Sequence, residues 1–96
     1  MELADLSQLL KKHQPELLLH GVKSLAVFGS FARGEELEES DIDLLVDFNR
    51  PVGLFEFIRL KVYLENLTER RVDLVTRDAL RPSMRDTILS EAVNVA

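Results

Sequence analysis

A chain of 96 residues, 46% hydrophobic and 30% charged, suffices for one compact domain spanning 1–96 and leaves no room for a second. The absence of Cys excludes disulfide frameworks, thiolate catalysis and cysteine zinc sites, and 12 Lys and Arg against 17 Asp and Glu give a formal charge of -5, the wrong sign for a protein that coats nucleic acid. No apolar run nears the ~20 residues of a membrane span. The N-terminal MELADLSQLLKK is acidic and amphipathic rather than a basic region before an apolar one, so a cytoplasmic location without membrane contact is expected.

Leu3, Leu6, Leu9 and Leu10 recur at helical spacing and predict a first amphipathic helix that ends near His13. Pro15 interrupts the pattern and suits the start of a short second helix over 15–20, with Gly21 placed as its C-cap. The apolar run SLAVF predicts a strand over 24–28. The glycine-bracketed turn GSFARG, a short helical piece, and the acidic stretch EELEES follow. DIDLLVDF predicts a second strand over 41–48, with Ile42, Leu44, Val46 and Phe48 on one face and Asp41, Asp43 and Asp47 on the other. A turn around Pro51 and Gly53 leads to a long helix over 54–67, then a third strand over 71–76 (RVDLVT) and a last helix from Pro82 to about Val93. This order predicts an α/β domain in which helices cover a three-stranded sheet.

Asp41 and Asp43, two apart on a strand, project from the same face about 6.6 Å apart. Such a pair repels unless it shares a proton or a cation, and an all-oxygen donor set selects a hard ion such as Mg²⁺ or Mn²⁺. Asp73, between Val72 and Leu74, completes a three-carboxylate cluster if its strand lies beside the second. Taken alone, these acids also fit strand ends that face water. Gly29 directly follows an apolar strand, so the chain can turn sharply and bring backbone N–H groups to a phosphate, and the Ser30 hydroxyl adds a further donor. The informative feature is the combination of strand, Gly-Ser, ten intervening residues, Asp-x-Asp on the next strand, and a further Asp inside a third apolar strand.

FGSFARGEELEESDIDLLVDF followed by RVDLVT resembles the nucleotidyltransferase superfamily of polymerase-beta type. The short length and the forms GSFARG and SDIDLLVDF resemble in particular the minimal nucleotidyltransferase (MNT) family. The resemblance spans nearly the whole chain and is strongest over 22–76. It implies a mixed sheet, Gly29 and Ser30 holding the phosphates of a nucleoside triphosphate, and Asp41 and Asp43 binding the divalent metal. Asp73 would help hold a second metal or activate the attacking hydroxyl. The implied reaction is Mg²⁺-dependent transfer of AMP from ATP to a hydroxyl. MNT domains resemble the antitoxin halves of toxin–antitoxin pairs, whose partner is a helical HEPN-domain ribonuclease toxin with a tyrosine as the expected acceptor. Two other readings stay open: an antitoxin that acts by binding alone, and a subunit that modifies a small molecule of aminoglycoside type. The sequence lacks the large extra domain with which bigger superfamily members bind their own acceptor, which leaves a self-contained acceptor specificity open and disfavours the small-molecule reading unless a partner, in a homo- or hetero-oligomer, completes the pocket.

Arg33 on the glycine turn suits contact with the triphosphate, and equally a solvated pairing with Glu35 and Glu36. Asp47 reads as a strand-end residue, and Glu35, Glu36, Glu38 and Glu39 as a solvated loop. His13 and His20 sit at helix ends without metal-ligand spacing and suit capping or exposure. Arg70, Arg71, Arg77 and Arg81 carry no assigned role. The helix over 54–67 has two apolar stripes, one of Leu54, Phe55, Ile58 and Val62 and the other of Phe57, Leu60, Leu64 and Leu67. One must cover the sheet. The other is either buried under the first or last helix or left for another chain.

Overall fold

The computed structural model describes residues 1–35 and 40–96. Helix α1 spans Leu3–Lys12 and α2 Gln14–Leu19; β1 is Val22–Phe28, α3 Ser30–Arg33 and β2 Ile42–Phe48. Helix α4 is Leu54–Thr68, β3 Val72–Thr76, α5 Pro82–Glu91 and β4 Val93–Asn94, with a single 3-10 turn at Arg77–Ala79. Glu2 N–H donates to Asp5 at 3.0 Å at the start of α1, and the His13 ring is 2.9 Å from the Leu9 carbonyl at its end. His13 therefore acts as an end cap. Gly21 closes α2 at φ +81, a conformation costly for any residue with a Cβ.

The sheet has four strands in the order β3-β2-β1-β4, rather than the three expected. β2 pairs with β1 antiparallel and with β3 parallel, and β4 pairs antiparallel with the free edge of β1. The sheet is thus mixed. The missed strand is only two residues long, too short to leave an alternating pattern. The expected last helix stops at Glu91 because Ala92 is extended, and the tail then pairs with β1 through Val95 N–H to the Leu25 carbonyl at 2.9 Å. That pairing buries Val95 completely.

One face of the sheet carries the core. Ile42, Leu44 and Val46 of β2 join Leu25 and Val27 of β1 and Val72 and Leu74 of β3. They pack with Leu6 and Leu10 of α1, Leu17 of α2 and Leu60 and Leu64 of α4. A register shift between Val22 and Ser24 keeps Val22 in the same cluster although it lies three residues from Leu25. On α4, the stripe of Phe57, Leu60, Leu64 and Leu67 faces this core. The other stripe is not covered by the first or last helix: Phe55 is 80% exposed and Leu54 70%, with Ile58 and Val62 also open. Thr68 donates to the Leu64 carbonyl at 2.7 Å near the end of α4, and Glu65 accepts the N–H of Val72, which fixes where β3 begins. Among the described residues no helix is long and apolar enough to cross a membrane.

Candidate active site

The site begins where β1 ends. Gly29 adopts φ 72 and ψ -147, and a Cβ at this position would fall on the Oδ2 atom of Asp43. Only glycine permits both the backbone angle and the approach. Ser30 opens α3, whose single turn is anchored by Phe31, a fully buried member of the core. Gly34, also at positive φ, ends that turn, and Glu35 N–H returns to the Ser30 carbonyl at 2.9 Å. Arg70 braces the arrangement from beneath: its guanidinium stands 5.3 Å from the Phe31 ring and donates to the Ser40 carbonyl at 3.3 Å. One side chain thus ties the turn that carries Ser30 to the residue that precedes Asp41.

Strand register gathers the carboxylates. The parallel pairing of β2 with β3 sets Asp43 directly beside Asp73, at the strand spacing of about 4.8 Å. The antiparallel pairing of β1 sets Phe28 opposite Asp43, which brings Gly29 to the same place. Asp41 lies just before β2. It and Asp73 are exposed, whereas Asp43 is partly buried. Burial first, then the charges of Asp73 and Asp41, raise the Asp43 carboxyl above the ordinary carboxylate range, with Arg33 acting weakly in the opposite sense.

Carboxylates crowded in this way repel one another unless a cation or a shared proton offsets their charge. Among the described residues no three acidic or histidine side chains form a ready-made cage. The donor set nevertheless fits Mg²⁺ or Mn²⁺. Such an ion keeps several waters and is held by one or two carboxylates together with substrate phosphates rather than by an all-protein shell.

The structure therefore brings the turn, Asp43 and Asp73 together, with Asp41 near enough to act on Asp43 electrostatically. Arg33 lies within electrostatic reach of them, but its guanidinium is engaged by Glu35 at 2.9 Å and by Glu91 of α5 at 2.8 Å. The pairing with Glu35 was expected and that with Glu91 was not, because only the tertiary fold brings α5 back over the turn. The pairing of Arg33 with Glu36, and the loop expected at Glu36, Glu38 and Glu39, fall outside the described residues. Asp47 belongs elsewhere: Ser24 donates to it at 3.2 Å and Arg77 pairs with it at 3.1 Å, at the opposite end of β2. His20 stacks on Tyr63 at 5.0 Å. Arg70 is the residue that sequence reasoning passed over. Its only hint was Phe31, an aromatic in a turn that has to be buried against something.

Comparison with known proteins agrees with this geometry. The family model described as Nucleotidyltransferase domain matches residues 6–95. The protein adenylyltransferase MntA of Thermococcus cleftensis is 43% identical over 96 residues, which cover 99% of this chain and 97% of that protein. A candidate protein adenylyltransferase of Methanocaldococcus jannaschii is 43% identical over 91 residues, covering 95% and 98% of the two chains. Among solved structures, a candidate minimal nucleotidyltransferase superposes with a TM-score of 0.82 at 41% identity, covering 97% of this chain and 95% of that one. A toxin–antitoxin crystal structure with AMP-PNP shares the fold at a TM-score of 0.74 and 18% identity, covering 94% of this chain and 72% of that one. With the Gly-Ser turn, the paired strand-end acids and relatives of matching length in agreement, this chain belongs to the nucleotidyltransferase domain family and is an enzyme of the nucleotidyltransferase type.

Proposed function

We propose that this chain, acting as a single unit over 1–96, moves AMP from ATP onto a hydroxyl of a partner protein and releases pyrophosphate. The partner in this reading is a helical HEPN ribonuclease toxin and the acceptor one of its tyrosines, so that the chain serves as the antitoxin. The observation that carries the reading is the meeting of Asp43, Asp73 and Gly29 at one strand end, with the Asp43 carboxyl raised first by burial and then by the charges of Asp73 and Asp41. The name of the Thermococcus relative supports protein as the acceptor, and a toxin–antitoxin pair crystallised with AMP-PNP has the same fold. In this reading the reaction runs in the cytoplasm, where ATP is available.

In this scheme the backbone at Gly29 and the Ser30 N–H and hydroxyl hold phosphate oxygens, while Asp41 and Asp43 hold the divalent ion, with Asp73 as a third ligand where a second ion binds. When bound, Mg²⁺ or Mn²⁺ supplies charge neutralisation at the transferring group and aligns the attacking and leaving oxygens. Asp73, exposed on the acceptor side, takes the proton of the attacking hydroxyl. That oxygen bonds to the α-phosphorus as the bond from the α-phosphorus to the bridging oxygen breaks, and pyrophosphate departs. Arg33 can turn to a phosphate by exchanging its exposed pairing with Glu35 or Glu91, which water already screens.

The test is label transfer from α-labelled ATP to the toxin encoded beside the gene for this chain. The expected result is label on the toxin with the wild-type chain and none with an Asp41→Asn/Asp43→Asn variant that remains folded. Label retained in that variant would sink the assignment. Toxin neutralised equally by both proteins without label would favour the antitoxin that acts by binding alone.

A further inference from the structure

The sheet ends on one side in β4, two residues long, and on the other in β3, five residues long. Pairing with β2 fixes which backbone groups of β3 are already used. Ile42 N–H donates to the Arg71 carbonyl at 2.9 Å and Ile42 lies opposite Val72, so in this parallel ladder the backbone groups of Asp73 and Val75 turn toward β2. Those of Val72, Leu74 and Thr76 turn outward. The Glu65 carboxylate accepts the Val72 N–H at 3.1 Å. Among the described residues nothing does the same for the N–H of Leu74 or of Thr76. Open donors along an edge strand are a template for a further strand.

This edge borders the site. Asp73 is exposed and stands between the open edge and Asp43. On a strand added here, the residue opposite Asp73 emerges on the same side of the sheet, one strand spacing from Asp73 and two, about 9.6 Å, from Asp43. A tyrosine side chain spans most of that gap, whereas a serine spans little of it. The edge is also basic in a chain whose formal charge is -5: residues 70–81 hold four Arg against two Asp. Arg71 and Arg81, just before and just beyond the strand, are exposed and join no ion pair among the described residues. A surface of that sign selects an acidic partner.

We propose that the acceptor protein docks as a fifth strand on the outer edge of β3: an extended, acidic segment pairs with the Leu74 and Thr76 backbone, its carboxylates meet Arg71 and Arg81, and the hydroxyl-bearing residue opposite Asp73 reaches over that carboxylate to the nucleotide. This rests on the nucleotidyl-transfer reading above. It adds how the acceptor is chosen: main-chain hydrogen bonds supply affinity, and register against Asp73 decides which residue is modified.

Amide hydrogen exchange of this chain, alone and saturated with the toxin encoded beside its gene, reads the edge directly. The Leu74 and Thr76 N–H groups are expected to exchange at least about tenfold more slowly in the complex. Charge is tested separately with Arg71→Glu/Arg81→Glu in label transfer from α-labelled ATP. That variant is expected to raise the KM for the toxin at least about tenfold, with MgATP affinity unchanged by calorimetry. Salt should raise the wild-type KM and leave that of the variant nearly constant. Leu74 and Thr76 exchange that is as fast in the complex as in the free chain, protection confined to other elements, or a folded variant with the wild-type KM would overturn edge docking, while label on the toxin leaves nucleotidyl transfer standing. No label on the toxin from the wild-type chain would overturn that reading and edge docking together.

Discussion

The two faces of one strand, β2, obey opposite rules. On the core face Ile42, Leu44 and Val46 are almost completely buried and share one apolar cluster with side chains from six other elements. On the other face Asp43 is partly buried beside Asp73 and near Asp41; burial first, and then those charges, raise its proton affinity and destabilise the ionised state. The first face lowers the free energy of folding. On the second, which also buries Leu45, the ionised Asp43 carboxylate raises it, the kind of cost that persists at functional positions. The same seven residues thus supply the scaffold and the site, because a strand alternates and the register of its two neighbours is fixed by the buried half.

The largest effects should come from damage to the buried half. Leu60 and Leu64 press the core stripe of α4 onto the sheet and are fully buried. Each change to Ala should cost about 2–5 kcal/mol, and the double variant should approach the whole stability of a small domain, about 5–15 kcal/mol. Urea titration followed by circular dichroism would show the midpoint collapse. Retained cooperative unfolding near the wild-type midpoint would mean that α4 does not hold the core.

On the acid face the damage should fall on chemistry instead. Asp43→Asn, like Asp41→Asn, should lower nucleotidyl transfer by at least about 10³-fold, roughly 4 kcal/mol of transition-state stabilisation. Asp73→Asn is expected to lower turnover by about 10²–10⁴-fold while MgATP binding stays measurable by calorimetry, because a proton acceptor acts as the hydroxyl attacks. If Asp73→Asn loses binding as fully as Asp41→Asn, Asp73 is a ligand of the nucleotide-bound ion and not a base.

Much of this contrast could be read from the residues. Alternating apolar positions in DIDLLVDF place three Asp on one side, and Gly-Ser after an apolar strand marks the sharp turn that meets Asp43. Three things could not be read, each for a physical reason. A two-residue edge strand has no period, so β4 was hidden inside the apparent end of α5. Arg33 meets Glu91 only because the chain crosses the sheet and returns, which no local spacing encodes. Periodicity shows that α4 has two apolar stripes but cannot say which is covered, since that depends on how α4 settles against the sheet and α1.

A smaller effect tests the sign of the electrostatic cost. The Asp43 carboxyl has a folded-state pKa raised above its unfolded value, so its contribution to stability is fully present below the unfolded value and is lost as pH rises through the folded one. At neutral pH, with divalent ions chelated, the ionised group is a liability that Asn removes. Asp43→Asn should therefore raise the melting temperature at pH 7, by no more than about 4 °C, and the gain should vanish in acid, where the wild-type carboxyl is already neutral. A lower melting temperature at pH 7 would show that Asp43 is held by favourable partners and that neither its burial nor the charges of Asp73 and Asp41 govern it.

The smallest effect sharpens the comparison within a single helix. Phe55 and Val62 lie on the stripe of α4 that the rest of the chain leaves open, whereas Leu60 and Leu64 lie within the same turns on the covered side. Because the first pair already meets water, replacing both with Lys removes little packing, and Lys has a helix propensity no worse than Phe or Val. The double variant Phe55→Lys/Val62→Lys should change the unfolding free energy by no more than about 0.5 kcal/mol per site. The matched variant Leu60→Lys/Leu64→Lys should not fold, since two ammonium groups would enter the core. Chemical denaturation of the two proteins side by side decides it. Equal damage from both pairs would mean that the outer stripe is packed in solution, and that α4 has a neighbour there which the isolated chain does not reveal.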